Sequence, residues 1–545
     1  MKKRHLFWII PLSIIFAVFL TVLLGHLISP VKVLPISSKN KAKNSVSEKE
    51  IKEDLKYLKY YFENMYAGYE LMVEKGFDID KVCDQIYVKI LKEKGSLEKV
   101  NSAVFRQKIQ EVLLKEINIV DMHLSIDGIG TPLKRLYFSD IYFKEKQGPQ
   151  GKQYFVYKIQ QDPFTEAMKK DLTILPLPEG IKIGMEYTGP EVNLRECILD
   201  SEKVYRYAVL TNKNPKYANI SLEGKAITIP VLPSISLSSE KMQGYAETED
   251  TLYISLRDFV FNKGSKNYEE LGKREFQSLC ENARELSKGK KNLIIDLRNN
   301  GGGEPFRRNA VFANLMYNSS EITQDIITSI AVVGEDNEKR ILSSPLAHFY
   351  RRGIFYDLKK FFKSFEFKDY DVKYPFEIFE EIEYKNWKKI NYSYAFGELF
   401  FPSRKWISDF NGEIKDLPEP DFKGDIYMLT NSYSASCSEY SMALAYEFEK
   451  FDGVQVHHIG ENTCGAVSYV NPVSIVLPNS GFWMYMPTAL NIDSKAFMHS
   501  KYHGEGEGWY PDYWVNSFQI SEILQYLIDD PELKEMLVGI ECGYL

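Results

Sequence analysis

The chain has 545 residues, of which 44% are hydrophobic and 14% aromatic, and its 68 Lys and Arg are outnumbered by 75 Asp and Glu for a formal net charge of −7. That apolar content is enough for several cores, and the length suggests three or four domains. The acidic balance, spread over a mixed surface with no basic patch or nucleic-acid motif, excludes nucleic-acid binding, and six scattered cysteines without a CxxC pair argue against a structural zinc site.

Met1-Lys2-Lys3-Arg4-His5 precedes an apolar run from Leu6 to Ile28. At about 1.5 Å per residue this run can cross a bilayer, and no small-x-small cleavage pattern follows it. Residues 1–28 therefore read as a signal anchor, with the basic cluster cytoplasmic and the remainder exported to the cell envelope; a cleaved signal and a secreted product is the alternative. Residues 29–48 form a linker that opens a Lys-, Glu- and Ser-rich tether.

Residues 49–125 read as a helical N-terminal domain, from the spacing of Ile51, Leu55, Leu58 and Phe62 and then of Phe105, Ile109, Val112 and Leu113. From 126 to 245 the pattern turns to short strand-like runs, Gln153 to Ile159, Val204 to Leu210 and Ala226 to Val231, between Pro, Gly and Asn turns. This is a β-rich domain, either PDZ-like or of another kind.

Residues 246–520 alternate strand and helix, which is α/β logic. The strand Leu252 to Leu256 is followed by a helix around Tyr268 to Leu286 and by the strand Leu293 to Leu297, which runs into Gly301-Gly302-Gly303 and a helix from Phe306 to Tyr317. Glycines there let backbone N–H groups approach a ligand, but neither a phosphate-binding loop nor a GxGxxG is present, so an oxyanion cradle fits better than a nucleotide site. An aromatic, Lys-rich insertion at about 340–420 interrupts this core and suits a lid or simple packing. Next, the strand Asp425 to Leu429 leads through Ser434-Ala435-Ser436-Cys437-Ser438-Glu439 to a helix from Tyr440 to Phe448. A serine at such a turn sits at a helix N-terminus, where developing negative charge is favoured, though Ser434, Ser436 and Ser438 also suit plain helix capping. A strand, Val454 to Ile459, follows, and 521–545 closes the chain with one amphipathic helix, Ser521 to Leu537.

Four motifs in order, Leu297 to Gly303, Ser434 to Glu439, Gly460-Glu461-Asn462-Thr463-Cys464-Gly465, and Glu505-Gly506-Glu507-Gly508-Trp509-Tyr510-Pro511-Asp512, make the chain resemble the C-terminal-processing, or tail-specific, serine peptidases, which have relatives in the tricorn protease core and the retinoid-binding proteins. The resemblance implies a crotonase-like core, a polypeptide substrate and no metal or organic cofactor. It also implies Ser436 as nucleophile, with backbone N–H groups around Gly302 and of Cys437 as the oxyanion hole.

The chain departs from the tail-specific branch in carrying Ala466 where that branch has a lysine base. The tricorn-like branch has instead a histidine in an Asp-x-His motif, which matches Asp121-Met122-His123 and implies His123 as general base, supported by Glu505 and by a serine whose place falls to Ser125. His458 and His503 are alternative bases, Glu507 an alternative carboxylate, and Cys437 an alternative nucleophile. The opposing function is a catalytically inactive member of the same fold that binds a peptide or a lipophilic ligand; a partner-docking envelope scaffold is a third.

Overall fold

A computed structural model gives the architecture. It describes residues 43–94, 99–149, 151–160, 177–233, 244–259, 278–343 apart from 324, 327–328 and 331–339, and then 406–409, 416–491, 499–515 and 520–541. The expected anchor over 6–28 and most of the 340–420 insertion lie outside these residues.

Three long N-terminal helices come first, α1 (Glu48–Met65), α2 (Ile79–Lys94) and α3 (Ser102–Glu116), with a short helix, Tyr69–Glu74, between the first two. A capping box starts α1, with the Ser47 N–H donating to Glu50 Oε2 at 2.7 Å, and the Ala103 N–H donating to Asn101 Oδ1 at 2.8 Å starts α3. The stripe Ile51, Leu55, Leu58 and Phe62 is buried as its spacing requires.

Next comes an eight-stranded sheet that contains strands at all three runs expected from sequence, Gly151–Ile159, Glu202–Thr211 and Lys225–Pro230. Its longest strand, Arg135–Gly148, pairs antiparallel with Gly151–Ile159 on one side and Glu202–Thr211 on the other.

The third unit holds four parallel strands in chain order, β1 (Thr251–Ser255), β2 (Asn292–Asp296), β3 (Gly424–Thr430) and β4 (Val454–Gly460), edged by Gly244–Glu247 and Tyr513–Trp514. Every residue of β1 and β2 is buried, as expected for parallel strands covered on both faces. One face packs on the helical residues 278–286, on α4 (Pro305–Met316) and on α5 (Cys437–Phe448). The other packs on Leu194–Leu199 and on the C-terminal helices α6 (Ile520–Leu527) and α7 (Leu533–Glu541). The single closing helix expected from sequence is thus two helices. Pro531 cannot donate its backbone nitrogen, and Asp530 Oδ1 caps the new start by accepting from the Glu532 N–H at 3.0 Å.

A further antiparallel sheet joins β5 (Tyr469–Val476) and β6 (Trp483–Asn491) to Ser125–Ile126, and the insertion contributes the paired strands Arg340–Ser343 and Trp406–Asp409 to it. The N-terminal helices share one apolar core with β5 and β6, so the helical region is not an independent globule. The parallel alignment places the turns after β2, β3 and β4 together at one end of the sheet, the usual place for a ligand site in an open α/β sheet.

Gly460 closes β4 at φ 126°, and a Cβ there would press onto the carbonyl oxygen of Thr430 at the end of β3. Gly460→Ala should destabilise the fold by about 2 kcal/mol or more, through backbone strain and strand displacement, measured as a lowered urea midpoint.

Candidate active site

The turn after β3 is built against the turn after β2. Asn431 Oδ1 accepts from the Asn299 N–H at 2.9 Å while its Nδ2 donates to Asn299 Oδ1 at 2.9 Å. The Ser434 hydroxyl donates to the Leu297 carbonyl and that of Ser438 to the Asn300 carbonyl, each at 2.8 Å. These two serines therefore lock the turns together. Ser436 is different, because it is half-buried and holds φ 55°, ψ −117° directly before α5. A non-glycine residue in the left-handed region costs about 1–3 kcal/mol, a strain found mainly at functional sites.

Gly302, at φ 92°, lies against this serine, and a Cβ on it would sit 2.7 Å from the Ala435 carbonyl oxygen, the Cys437 nitrogen and the Ser436 Cβ. Its own N–H, however, donates to Asn300 Oδ1 at 2.9 Å, so the Gly302 amide expected in the oxyanion hole is already committed. Gly303 is placed otherwise. Phe259 bonds its two neighbours, accepting from the Glu304 N–H at 2.8 Å and donating to the Gly302 carbonyl at 2.9 Å, so the Gly303 N–H points away from Phe259.

Glu439, in the first turn of α5, has no exposed surface. Its Oε1 accepts from the Thr463 hydroxyl at 2.5 Å and the Gly465 N–H at 2.7 Å, and its Oε2 from the Ser436 N–H at 3.0 Å and the Ala466 N–H at 2.6 Å. Burial pushes its carboxyl up to about 7, against these four donors, which favour the anion. Ala466, where the resembled family has its lysine base, contributes only this amide.

The next residues of the same segment reach Glu505. Its Oε2 accepts from the Val467 and Ser468 N–H groups at 3.2 and 2.9 Å, and its Oε1 from the Met122 N–H at 3.0 Å. Polar atoms of Glu505, His123 and Asp121 all lie within 4.8 Å of one another. Asp121 Oδ1 accepts from the His123 and Leu124 N–H groups, and Oδ2 from the Tyr66 hydroxyl at 2.7 Å. Burial raises Asp121 to about 7 and Glu505 to about 8, and lowers His123 to about 4 despite the Tyr469 carbonyl, which favours the protonated ring. His123 is thus neutral at neutral pH. Its Nδ1 is buried without a hydrogen-bond partner among the described residues.

The structure therefore gathers His123 with Glu505 and ties that pair to Ser436 through residues 463–468 and Glu439. No hydrogen bond joins the Ser436 hydroxyl to the His123 ring. Ser125 is not part of the cluster: it lies in a two-residue strand paired with Tyr485, and the third side chain beside His123 is that of Asp121. His458 is fully buried, with Nε2 2.6 Å from the Thr430 hydroxyl and Nδ1 3.2 Å from the Tyr510 carbonyl, and burial lowers it to about 3. It is a satisfied core histidine. His503 stacks on Tyr510, and Glu507 pairs with Lys134 and accepts from the Tyr510 hydroxyl, so neither joins His123. Cys437 and Cys464 are buried and carry no disulfide.

Sequence reasoning missed Asp121 and Glu439 as functional side chains, though both stand inside motifs it singled out. The Ser-x-x-Glu spacing of Ser436 and Glu439 is the available signal, because a carboxylate three residues past an N-cap can reach back to the cap amide. Gly302→Ala should abolish reactivity of Ser436 by forcing the two turns apart while the protein stays folded, as read by loss of serine-directed labelling with an unchanged far-UV circular dichroism spectrum.

No curated protein matches this chain. Among solved structures it is similar to mature CPAF complexed with lactacystin, at 12% identity over 91% of this chain and 98% of that one, with a TM-score of 0.43. It is also similar to a lipoprotein from Streptococcus agalactiae, at 13% identity over 91% and 99% with a TM-score of 0.33, and to the photosystem II D1 C-terminal processing protease, at 12% over 86% and 94% with a TM-score of 0.32. These are likenesses only. The assignment rests on residues 250–513, which match the model of peptidase family S41 and span the parallel sheet, the glycine turn and the Ser436 turn. Over that region the chain belongs to peptidase family S41, a family of serine peptidases.

Proposed function

We propose that this serine peptidase is exported and held at the membrane by its N-terminal apolar segment, and that it cleaves polypeptides through an acyl-enzyme on Ser436. The observation that carries the reading is the left-handed Ser436 at the start of α5, pressed against Gly302. The anchor is argued from residues 6–28 alone; among the described residues no helix is long and apolar enough to cross a membrane.

In the proposed reaction the Ser436 Oγ attacks the peptide carbonyl carbon as its proton passes to neutral His123. The carbonyl oxygen, now negative, is held by the backbone N–H groups of Cys437 and Gly303, the latter replacing the committed Gly302 amide. The imidazolium returns the proton to the leaving amine as the C–N bond breaks, and an ester remains on Ser436. Water, deprotonated by His123, then hydrolyses that ester. Glu505 fixes the Met122 amide and stands beside the ring, so it positions the base and stabilises its charged form. The Ser436 to His123 hydrogen bond forms when substrate closes the site, since catalytic hydrogen bonds are often long before substrate binds.

A fluorophosphonate probe tests this without knowledge of the substrate. Full-length protein should gain one adduct by intact mass, Ser436→Ala should gain none, and His123→Ala should react at least about a hundredfold more slowly. Adduct formation that survives Ser436→Ala would refute the nucleophile, and absence of labelling in folded protein would favour the binding-only alternative.

The pH dependence tests the base independently. Deprotonated imidazole is the reactive form, and burial lowers the His123 pKa to about 4, so reactivity should persist below pH 6 and fall as pH drops through about 4. An acid limb at the ordinary histidine value of about 6.5 would contradict this environment for the base.

A further inference from the structure

This inference rests on the serine peptidase reading and extends it to the substrate. Five arginines are buried in the described residues, Arg195, Arg206, Arg298, Arg307 and Arg308. Arg298 grips Asp296 with Nε at 2.9 Å and Nη2 at 2.6 Å; Arg206 lies 3.8 Å from Asp140 and Arg307 3.2 Å from Glu304. Arg195 is covered by two rings, Trp514 at 4.4 Å and Tyr510 at 5.6 Å.

Arg308 differs from Arg298, Arg206 and Arg307 in lacking a carboxylate partner among the described residues, and from Arg195, which keeps a little exposed surface, in being wholly buried. It has no exposed surface, and among the described residues no carboxylate pairs with it. Its Nε and Nη2 both donate to one neutral atom, Asn309 Oδ1, at 3.0 and 2.7 Å, and the Tyr440 ring lies 5.8 Å away. A desolvated guanidinium without counter-charge is costly, and an anion bound at that place would offset the cost.

The guanidinium adjoins the helix that begins directly after Ser436. Arg308 stands at the start of α4, directly after the glycine turn that touches Ser436. Tyr440, which it faces, is one turn along α5 from Ser436, and its N–H donates to the Ser436 carbonyl at 3.3 Å. The N-terminal ends of both helices add partial positive charge. Asn309 Nδ2 is buried and has no hydrogen-bond partner among the described residues, so a second donor stands ready beside the guanidinium.

We propose that Arg308, with Asn309 Nδ2, forms a subsite for a carboxylate, so that this peptidase selects peptides carrying an anionic group close to the scissile bond. Two sources share that chemistry, an Asp or Glu side chain and the free C-terminus of the peptide. Arg308 acts here as a specificity residue: it binds substrate and takes no part in the proton transfers.

The test is protection of full-length protein from fluorophosphonate labelling by N-acetylated alanine pentapeptides. One series is C-terminally amidated, with Glu or Gln at each position in turn; a second pair ends in a free acid or an amide. At least one carboxylate peptide should halve the labelling rate at about tenfold lower concentration than its neutral counterpart. A Glu peptide meeting this criterion identifies the side chain as the source, and the free acid identifies the terminus. In Arg308→Met the ratio should fall to about one, whatever that variant's own labelling rate, and Arg308→Lys should keep part of it. Ratios near one throughout the unaltered protein overturn the proposal, as does a ratio preserved in Arg308→Met. If Arg308→Met does not fold, the unaltered protein and Arg308→Lys decide between them. Protein that labels but shows no ratio defeats this inference alone, whereas folded protein that never labels defeats the serine peptidase reading as well.

Discussion

Glu439 receives hydrogen bonds from the Ser436 amide on one side and from Thr463, Gly465 and Ala466 on the other, with no surface left to water. Removing any one donor would leave a buried carboxyl lone pair unmatched, at about 1–3 kcal/mol. The group therefore couples the strain at Ser436 to the course of the 463–468 segment. That segment in turn presents the Val467 and Ser468 amides to Glu505, whose other oxygen holds the Met122 amide beside His123. A chain of carboxyl-to-amide contacts thus runs from the nucleophile turn to the base, and it fixes backbone positions rather than side-chain pairs.

The electrostatic order of the site is the reverse of that in water. Burial raises Asp121, Glu439 and Glu505 to about 7, 7 and 8, while it lowers His123 to about 4. Desolvation disfavours every charged form, so it holds protons on acids and removes them from the imidazole. A neutral imidazole beside carboxyl groups is poised to accept a proton, and the carboxyls become better partners once the ring is charged.

The parallel sheet and the turns that carry Ser436 were legible in the chain because each depends on residues close in sequence. Leu293-Ile294-Ile295 reads as a strand covered on both faces, the glycines after it permit close approach, and the small residues before α5 permit a sharp turn. The roles within the turn were not legible. Ser434, Ser436 and Ser438 are chemically equal in sequence, and only packing gives the first and third to the carbonyls of Leu297 and Asn300. Likewise Gly302 was expected to donate to an oxyanion, but the Asn300 side chain two residues away takes its amide.

The base shows the same division. The Asp-x-His motif marked His123, yet the serine expected beside it is replaced by Asp121, because Ser125 enters a strand paired with Tyr485. The sequence by itself determined the strand, turn and helix units and the residue types able to do acyl-transfer chemistry, since period, glycine content and cap spacing act over a few residues. Tertiary structure alone decided that the N-terminal helices share a core with β5 and β6, that Glu505 meets His123, and that Arg308 is buried with no carboxylate partner among the described residues. Those outcomes depend on which side chains desolvate one another across long stretches of chain, and burial and hydrogen-bond capture of that kind are properties of the packed molecule, not of local pattern.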